Sequence, residues 1–122
     1  MTKILLVDDS AELLDLFTAL FTIKGYKVRT AVHKNMIGPQ LALTRPDIIL
    51  LDVRLNGYDG RKICLELKQH ELFQHIPVIL ISGDENLLQD HTACKADAVL
   101  PKPFTSEMAD AMIRQLLTKE MA

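Results

Sequence analysis

The chain has 122 residues and a formal charge of -2, with 48% of its residues apolar and 25% charged. That length suffices for one domain, expected over residues 1–122, with a substantial core and no need of disulfide staples. The slight acidity argues against direct gripping of nucleic-acid backbones, and no apolar stretch approaches the roughly 18 residues a membrane helix requires.

Ile4 to Val7 is a short apolar run that ends in Asp8 and Asp9. It is too short for a signal peptide, so a cytoplasmic chain is expected, and it has the character of a strand buried on both faces. From Ser10 the pattern turns helical, with Leu13, Leu16, Phe17, Leu20 and Phe21 at spacings of three and four and Gly25 as the stop. Tyr26 to Val32 alternates and is more polar, which suits an edge strand. The next helix, within Asn35 to Arg45, is expected to become regular from about Pro39, since proline is tolerated only in a first turn.

Ile48 to Leu51 is a continuous apolar run that delivers Asp52 to its own end and then breaks into a glycine-rich loop reaching Gly60. Arg61 to Lys68 follows as a short helix capped by Asp59, and Leu72 and Phe73 are expected to plug the rim beyond it. Pro77 to Ile81 is another β run, ending at Ser82-Gly83-Asp84. Glu85 to Cys94 is expected to be a helix with few apolar positions. Asp97 to Leu100 is the last strand, held to an edge by Pro101 and Pro103. Thr105 to Leu117 closes the pattern as a helix with Met108, Ala109, Met112, Ile113 and Leu116 inward. Cys64 and Cys94 have no metal-ligand spacing and are expected to be reduced core thiols.

Five β runs alternating with helices imply a flavodoxin-like, doubly wound α/β fold: a five-stranded parallel sheet of order 2-1-3-4-5 with helices on both faces. Parallel strands bring their carboxyl ends to one edge, so Asp8, Asp9, Asp52, Ser82 and Lys102 are expected to converge there. Three carboxylates so close need a cation, and oxygen ligands without His or Cys suit Mg²⁺ or Mn²⁺. A lysine beside them can hold an anion, and a hydroxyl can donate to the same anion. The competing readings are helix caps: Asp9-x-x-Glu12 has capping-box form, and Ser82 precedes Glu85 by three.

The segments KILLVDDS, PDIILLDVRLNGYDG, PVILIS and LPKPF come in that order, each at a strand end. Together they resemble the receiver domain of two-component response regulators, over nearly the whole chain. The resemblance implies that Asp52 is the phosphoacceptor, that Asp8, Asp9, Asp52 and the Arg54 carbonyl hold Mg²⁺, and that Ser82 and Lys102 contact the phosphoryl group. It implies transfer from a histidine kinase or histidine phosphotransfer protein, self-catalysed on both the phosphorylation and dephosphorylation sides. The downstream target stays unknown, and the expected state is a monomer or a weak dimer through the fourth helix, fifth strand and fifth helix.

Asn56 stands where the family usually has proline, which implies a looser loop; Val99 replaces a common Tyr or Phe; Lys95 replaces a glycine. The segment from Ser82 to Lys102 is slightly short, implying a truncated or displaced fourth helix. Arg54 and Asp84, two residues past Asp52 and Ser82, are expected to pair across the mouth of the site and gate the attacking water. An alternative is a degenerate receiver that docks partners without phosphorylation. A phosphatase or an FMN protein of similar topology is disfavoured, because Asp52-Val53-Arg54 lacks a second acid and no Ser/Thr-rich loop follows the first strand. The sequence ends with its last helix, as expected of a freestanding regulator or of a piece of a longer protein.

Overall fold

The apolar runs pair in parallel as their patterns require. A computed structural model describes residues 1–89 and 91–121, with 119–121 described by backbone alone. In chain order the strands are β1 (Lys3–Val7), β2 (Lys27–Ala31), β3 (Ile48–Asp52), β4 (Arg54–Leu55), β5 (Tyr58–Asp59), β6 (Val78–Ser82) and β7 (Ala98–Pro101). The helices are α1 (Ala11–Ile23), α2 (Ile37–Thr44), α3 (Gly60–Lys68) and α4 (Ser106–Met121). The main sheet runs β2-β1-β3-β6-β7, all neighbours parallel, and β4 with β5 forms a separate small hairpin. With that hairpin set aside, the order is the expected 2-1-3-4-5.

Side chains alternate across the sheet into two cores. Leu5, Val7, Ile49, Leu51, Val78 and Leu80 pack with residues of α2 and α3 on one face. Ile4, Leu6, Ile48, Leu50, Ile79 and Ile81 pack with residues of α1 and α4 on the other. Burial of each such side chain contributes roughly 1.5–3 kcal/mol, so β1, β3 and β6 anchor the fold. β2, with its exposed Lys27 and Arg29, is an edge, as its alternating sequence requires.

Two polar ties fasten the layers. The Lys68 ammonium, at the end of α3, donates to the Ile76 carbonyl (2.9 Å) and to Asp97 Oδ2 (2.7 Å). Asp97 Oδ2 also accepts from the Val78 N–H (2.8 Å), so one carboxylate aligns the starts of β6 and β7. On the other face the Tyr26 hydroxyl donates to Asp110 of α4.

Local details depart from the sequence reading in several places. Residues 85–94 do not form a regular helix: a single 3₁₀ turn, Glu85–Leu88, is followed by turns, with Asp90 outside the described residues. Leu88 and Cys94 are the buried positions of that segment, and six residues apart they cannot line a helical stripe. Lys95, at the position of a usual glycine, takes a positive φ of 63°. A face built on a fourth helix, as expected for dimerisation, therefore lacks that element among the described residues. Leu16, Leu72 and Met108, expected inward, are exposed. Their neighbours Phe17, Phe73 and Ala109 take the places against the core. α1 is capped by Ser10, whose hydroxyl accepts from the Leu13 N–H (3.2 Å), so Asp9 is not its cap.

Candidate functional site

The site forms because parallel strands end together. β1 runs into Asp8, β3 ends on Asp52, β6 ends on Ser82, and Lys102 follows Pro101 of β7. Ladder bonds continue past the strands and fix the register: Val53 N–H to Ile81 O (2.9 Å) and Lys102 N–H to Ser82 O (2.9 Å). Asp8, Asp52 and Ser82 are buried. Burial of carboxylates is tolerable only with charge or hydrogen-bond partners, and the partner here is Lys102. Its ammonium donates to Asp8 Oδ2 (2.9 Å) and to Asp52 Oδ2 (3.3 Å).

The third acid joins from the exposed side. Asp8, Asp9 and Asp52 each present one oxygen within 4.8 Å of the others. The donor set is three carboxylates with neither His nor Cys, and one ammonium cannot neutralise three acids. Such a site fits a hard divalent cation of the Mg²⁺ class. The electrostatic strain is visible in Asp52, whose carboxyl is pushed up from 3.8 to about 6. Burial is the main cause and the Asp8 charge the next; Lys102 opposes both. Burial works against the charge of Lys102, but hydrogen bonds and charges from Asp8 and Asp52 outweigh it and raise its pKa.

Ser82 faces the same depression, which is lined by Asp9, Asp52, Arg54, Asp84 and Lys102 among others. The Ser82 hydroxyl oxygen accepts from the Asp84 N–H (3.0 Å), and Asp84, not Ser82, caps the 3₁₀ turn through the Asn86 N–H (3.0 Å). The remaining Asp84 oxygen meets Arg54 Nη2 at 3.3 Å, so the expected pair across the mouth is present. The expected acids, hydroxyl and lysine thus lie together, with the Arg54–Asp84 pair above them.

One residue escaped the sequence reading, and a second was read differently. Gly60, at the start of α3, lies against the end of β3 so closely that a Cβ there would sit 2.2 Å from the Asp52 carbonyl oxygen. The second is Asn56. The loop expected to be loose is a two-residue hairpin, because Asn56 (φ 50°) and Gly57 (φ 84°) both adopt the positive φ of a type I′ turn. The Asn-Gly dipeptide is the strongest short-range hairpin signal and was legible as such.

A family model described as the response regulator receiver domain matches residues 4–114. The chain belongs to that family. It is 37% identical over 117 residues to the response regulator PleD of Caulobacter vibrioides, a match covering 93% of this chain and 26% of PleD. It is 34% identical over 123 residues to the dual master transcriptional regulator RpaA of Synechocystis, covering 98% of this chain and 50% of RpaA. The chain therefore spans half or less of the length of these curated relatives. Among solved structures, it resembles a response regulator from Chloroflexus aurantiacus with a TM-score of 0.88 and 26% identity, covering 96% of this chain and 98% of that one. The receiver domain of a Syntrophus aciditrophicus histidine kinase has a TM-score of 0.87 and 28% identity, covering 98% and 92%. Membership in the receiver family agrees with the acid-rich strand edge, and among the described residues no helix is long and apolar enough to cross a membrane.

Proposed function

We propose that this receiver accepts a phosphoryl group on Asp52 from a phosphohistidine of a histidine kinase or histidine phosphotransfer protein. Asp8, Asp9, Asp52 and the Arg54 carbonyl would hold Mg²⁺, with Mn²⁺ as a substitute. When bound, that ion supplies positive charge to the acids and to the transferred group. The Asp52 carboxylate attacks phosphorus, the P–N bond breaks, and its electron pair returns to the donor imidazole. Lys102, released from its shared bonds to Asp8 and Asp52, turns its ammonium toward an equatorial oxygen. The Ser82 hydroxyl donates its proton to another while still accepting from Asp84. In dephosphorylation, water attacks the same phosphorus, the P–O bond breaks and the Asp52 carboxylate leaves.

Arg54 and Asp84 would stand over the line of approach of that water. Their side chains are 74% and 37% exposed, so the pair adds only about 0 to 1 kcal/mol to stability and its effect is obstruction. The whole of residues 1–122 would act as one receiver, in the cytoplasm beside its phosphodonor, and would change its affinity for a downstream partner.

The observation that carries this reading is Lys102, hydrogen-bonded at once to Asp8 and Asp52 on the carboxyl edge of the sheet. Incubation with a small phosphodonor, with Mg²⁺ or with EDTA, tests it by intact mass. One phosphoryl adduct, dependent on Mg²⁺ and lost in Asp52→Asn, is expected. Absence of the adduct favours the second reading, a phosphorylation-independent docking module. That reading draws support from Val99, whose isopropyl group stands where many receivers carry an aromatic ring.

A further inference from the structure

The hairpin of β4 and β5 is fastened to the metal acids by the residue that breaks the family pattern. Asn56 donates its backbone N–H to Asp9 Oδ2 (3.2 Å) and its side-chain amide to the Val32 carbonyl beyond β2 (3.1 Å). The next strand adds to the fastening: the Tyr58 ring meets His33 edge-on at 5.7 Å, and Lys34 Nζ lies 4.8 Å from its centroid. The turn is thus held against the loop after β2.

The three acids are unequally supported. Asp8 is fixed by Lys102 and the Ser10 N–H, and Asp52 by Lys102 and the Arg54 N–H. Asp9 is exposed, and among the described residues the Asn56 N–H is the hydrogen-bond donor that its carboxylate meets. Without that bond, Asp9 would sample rotamers directed into water. Holding one oxygen in place leaves the other oriented and reduces the ordering a cation must impose.

We propose that Asn56 is a positioning residue for the divalent cation, acting through its backbone N–H on Asp9, with its side chain holding the turn that aims this N–H. The inference rests on the reading of the three acids as a metal site. Proline at this position has no N–H and a fixed negative φ, so it can neither make the bond nor adopt the turn. Asparagine tolerates the left-handed conformation and supplies a donor for Val32.

Calorimetric titration of the whole chain with Mg²⁺, in the absence of phosphodonor, tests it. Loss of a supporting partner around a metal typically weakens binding by about 10- to 100-fold. At this exposed acid, Asn56→Pro is expected to weaken Mg²⁺ about tenfold, the lower end of that range. Asn56→Gly keeps the N–H and the positive φ, and is expected to lose no more than about threefold, one exposed side-chain hydrogen bond. In an Asp9→Ala background, which has no side-chain oxygen to hold, Asn56→Pro is expected to have no further effect, because its route to the metal has gone.

Equal Mg²⁺ affinity for Asn56→Pro and wild type, with the wild type binding normally, overturns the inference and leaves the metal site standing. So does an undiminished effect in the Asp9→Ala background. A wild type that binds no Mg²⁺ overturns the metal reading itself. Should Asn56→Pro fail to fold, the wild-type Asn56 amide proton decides by NMR: a shift on Mg²⁺ addition supports the role, and no shift overturns it.

Discussion

Asp52→Asn in the metal-free protein isolates the electrostatic strain of the site. Burial and the Asp8 charge hold the Asp52 carboxyl at about 6 against an ordinary 3.8, so at neutral pH its ionised form opposes folding. The difference is about two pH units, and at about 1.4 kcal/mol per unit it amounts to about 3 kcal/mol. The sign follows from proton counting. Between the two values the folded chain holds a proton that the unfolded chain has released, so stability falls as pH rises from about 4 to about 6. Asparagine keeps the shape and carries no charge. In EDTA at pH 7.5 the variant is therefore expected to be more stable by up to about 3 kcal/mol, a gain of about 10 °C in Tm for a domain of this size. The gain is expected to shrink as pH falls from about 6 toward about 4, where folded Asp52 is protonated and the unfolded chain begins to take up its own proton. Saturating Mg²⁺ is expected to reduce or reverse it, since the ion binds and stabilises the wild type. Denaturant unfolding at several pH values, with EDTA and with Mg²⁺, measures all of this. An Asn variant no more stable than wild type in EDTA, or a gain that does not change between pH 7.5 and pH 4, refutes the reasoning.

The remaining expectations concern named contacts. Gly60→Ala forces a Cβ into the Asp52 carbonyl and is expected to cost roughly 2–4 kcal/mol in denaturant unfolding, because the obstacle is backbone. Asp97→Ala strands the Lys68 ammonium, 9% exposed, with the Ile76 carbonyl and frees the Val78 N–H; a loss of roughly 2 kcal/mol is expected by the same measurement. Asp84→Ala removes the partner of Arg54 and is expected to speed loss of the phosphoryl group by up to about fivefold, followed by intact mass. An unchanged rate discards the gate. On phosphorylation, hydrogen exchange is expected to change at residues 83–87 and to stay constant in β7.

Much of the fold was legible because its strongest elements are the least ambiguous in sequence. Ile48 to Leu51 reads as a strand covered on both faces, and its parallel neighbours then delivered Asp8, Ser82 and Lys102 to one edge. The parts that were not legible depend on tertiary anchors. Whether Glu85 to Cys94 coils depends on which side chains find the core, and Leu88 and Cys94 do so at a spacing that no helix satisfies. Leu16 and Met108 fit the helical stripes of α1 and α4, yet each falls on a flank left about half exposed. Gly60 gave no local signal, since its requirement is the nearness of the Asp52 carbonyl across the loop. The Lys68–Asp97 tie was likewise invisible, because 29 residues separate its ends.

The short β6–β7 connection bears on how a phosphoryl group at Asp52 could be felt elsewhere. Such a group adds roughly -1.5 to -2 of charge, and the donors within the site are Lys102 and the Ser82 hydroxyl. Ser82 belongs to a fully buried strand and cannot travel far. Leu88, six residues later, is fixed in the core. Between these anchors, residues 83–87 are held by the Ser82–Asp84 and Asp84–Asn86 bonds and by the exposed Arg54–Asp84 pair. Each of these converges on Asp84, so a new bond from the Ser82 hydroxyl bears on one residue that also holds Arg54. Val99 offers no ring to swing and packs its isopropyl group against the core beside β6. A change in charge at Asp52 is therefore expected to be felt at residues 83–87, on the rim of the site itself, and not through a ring on β7.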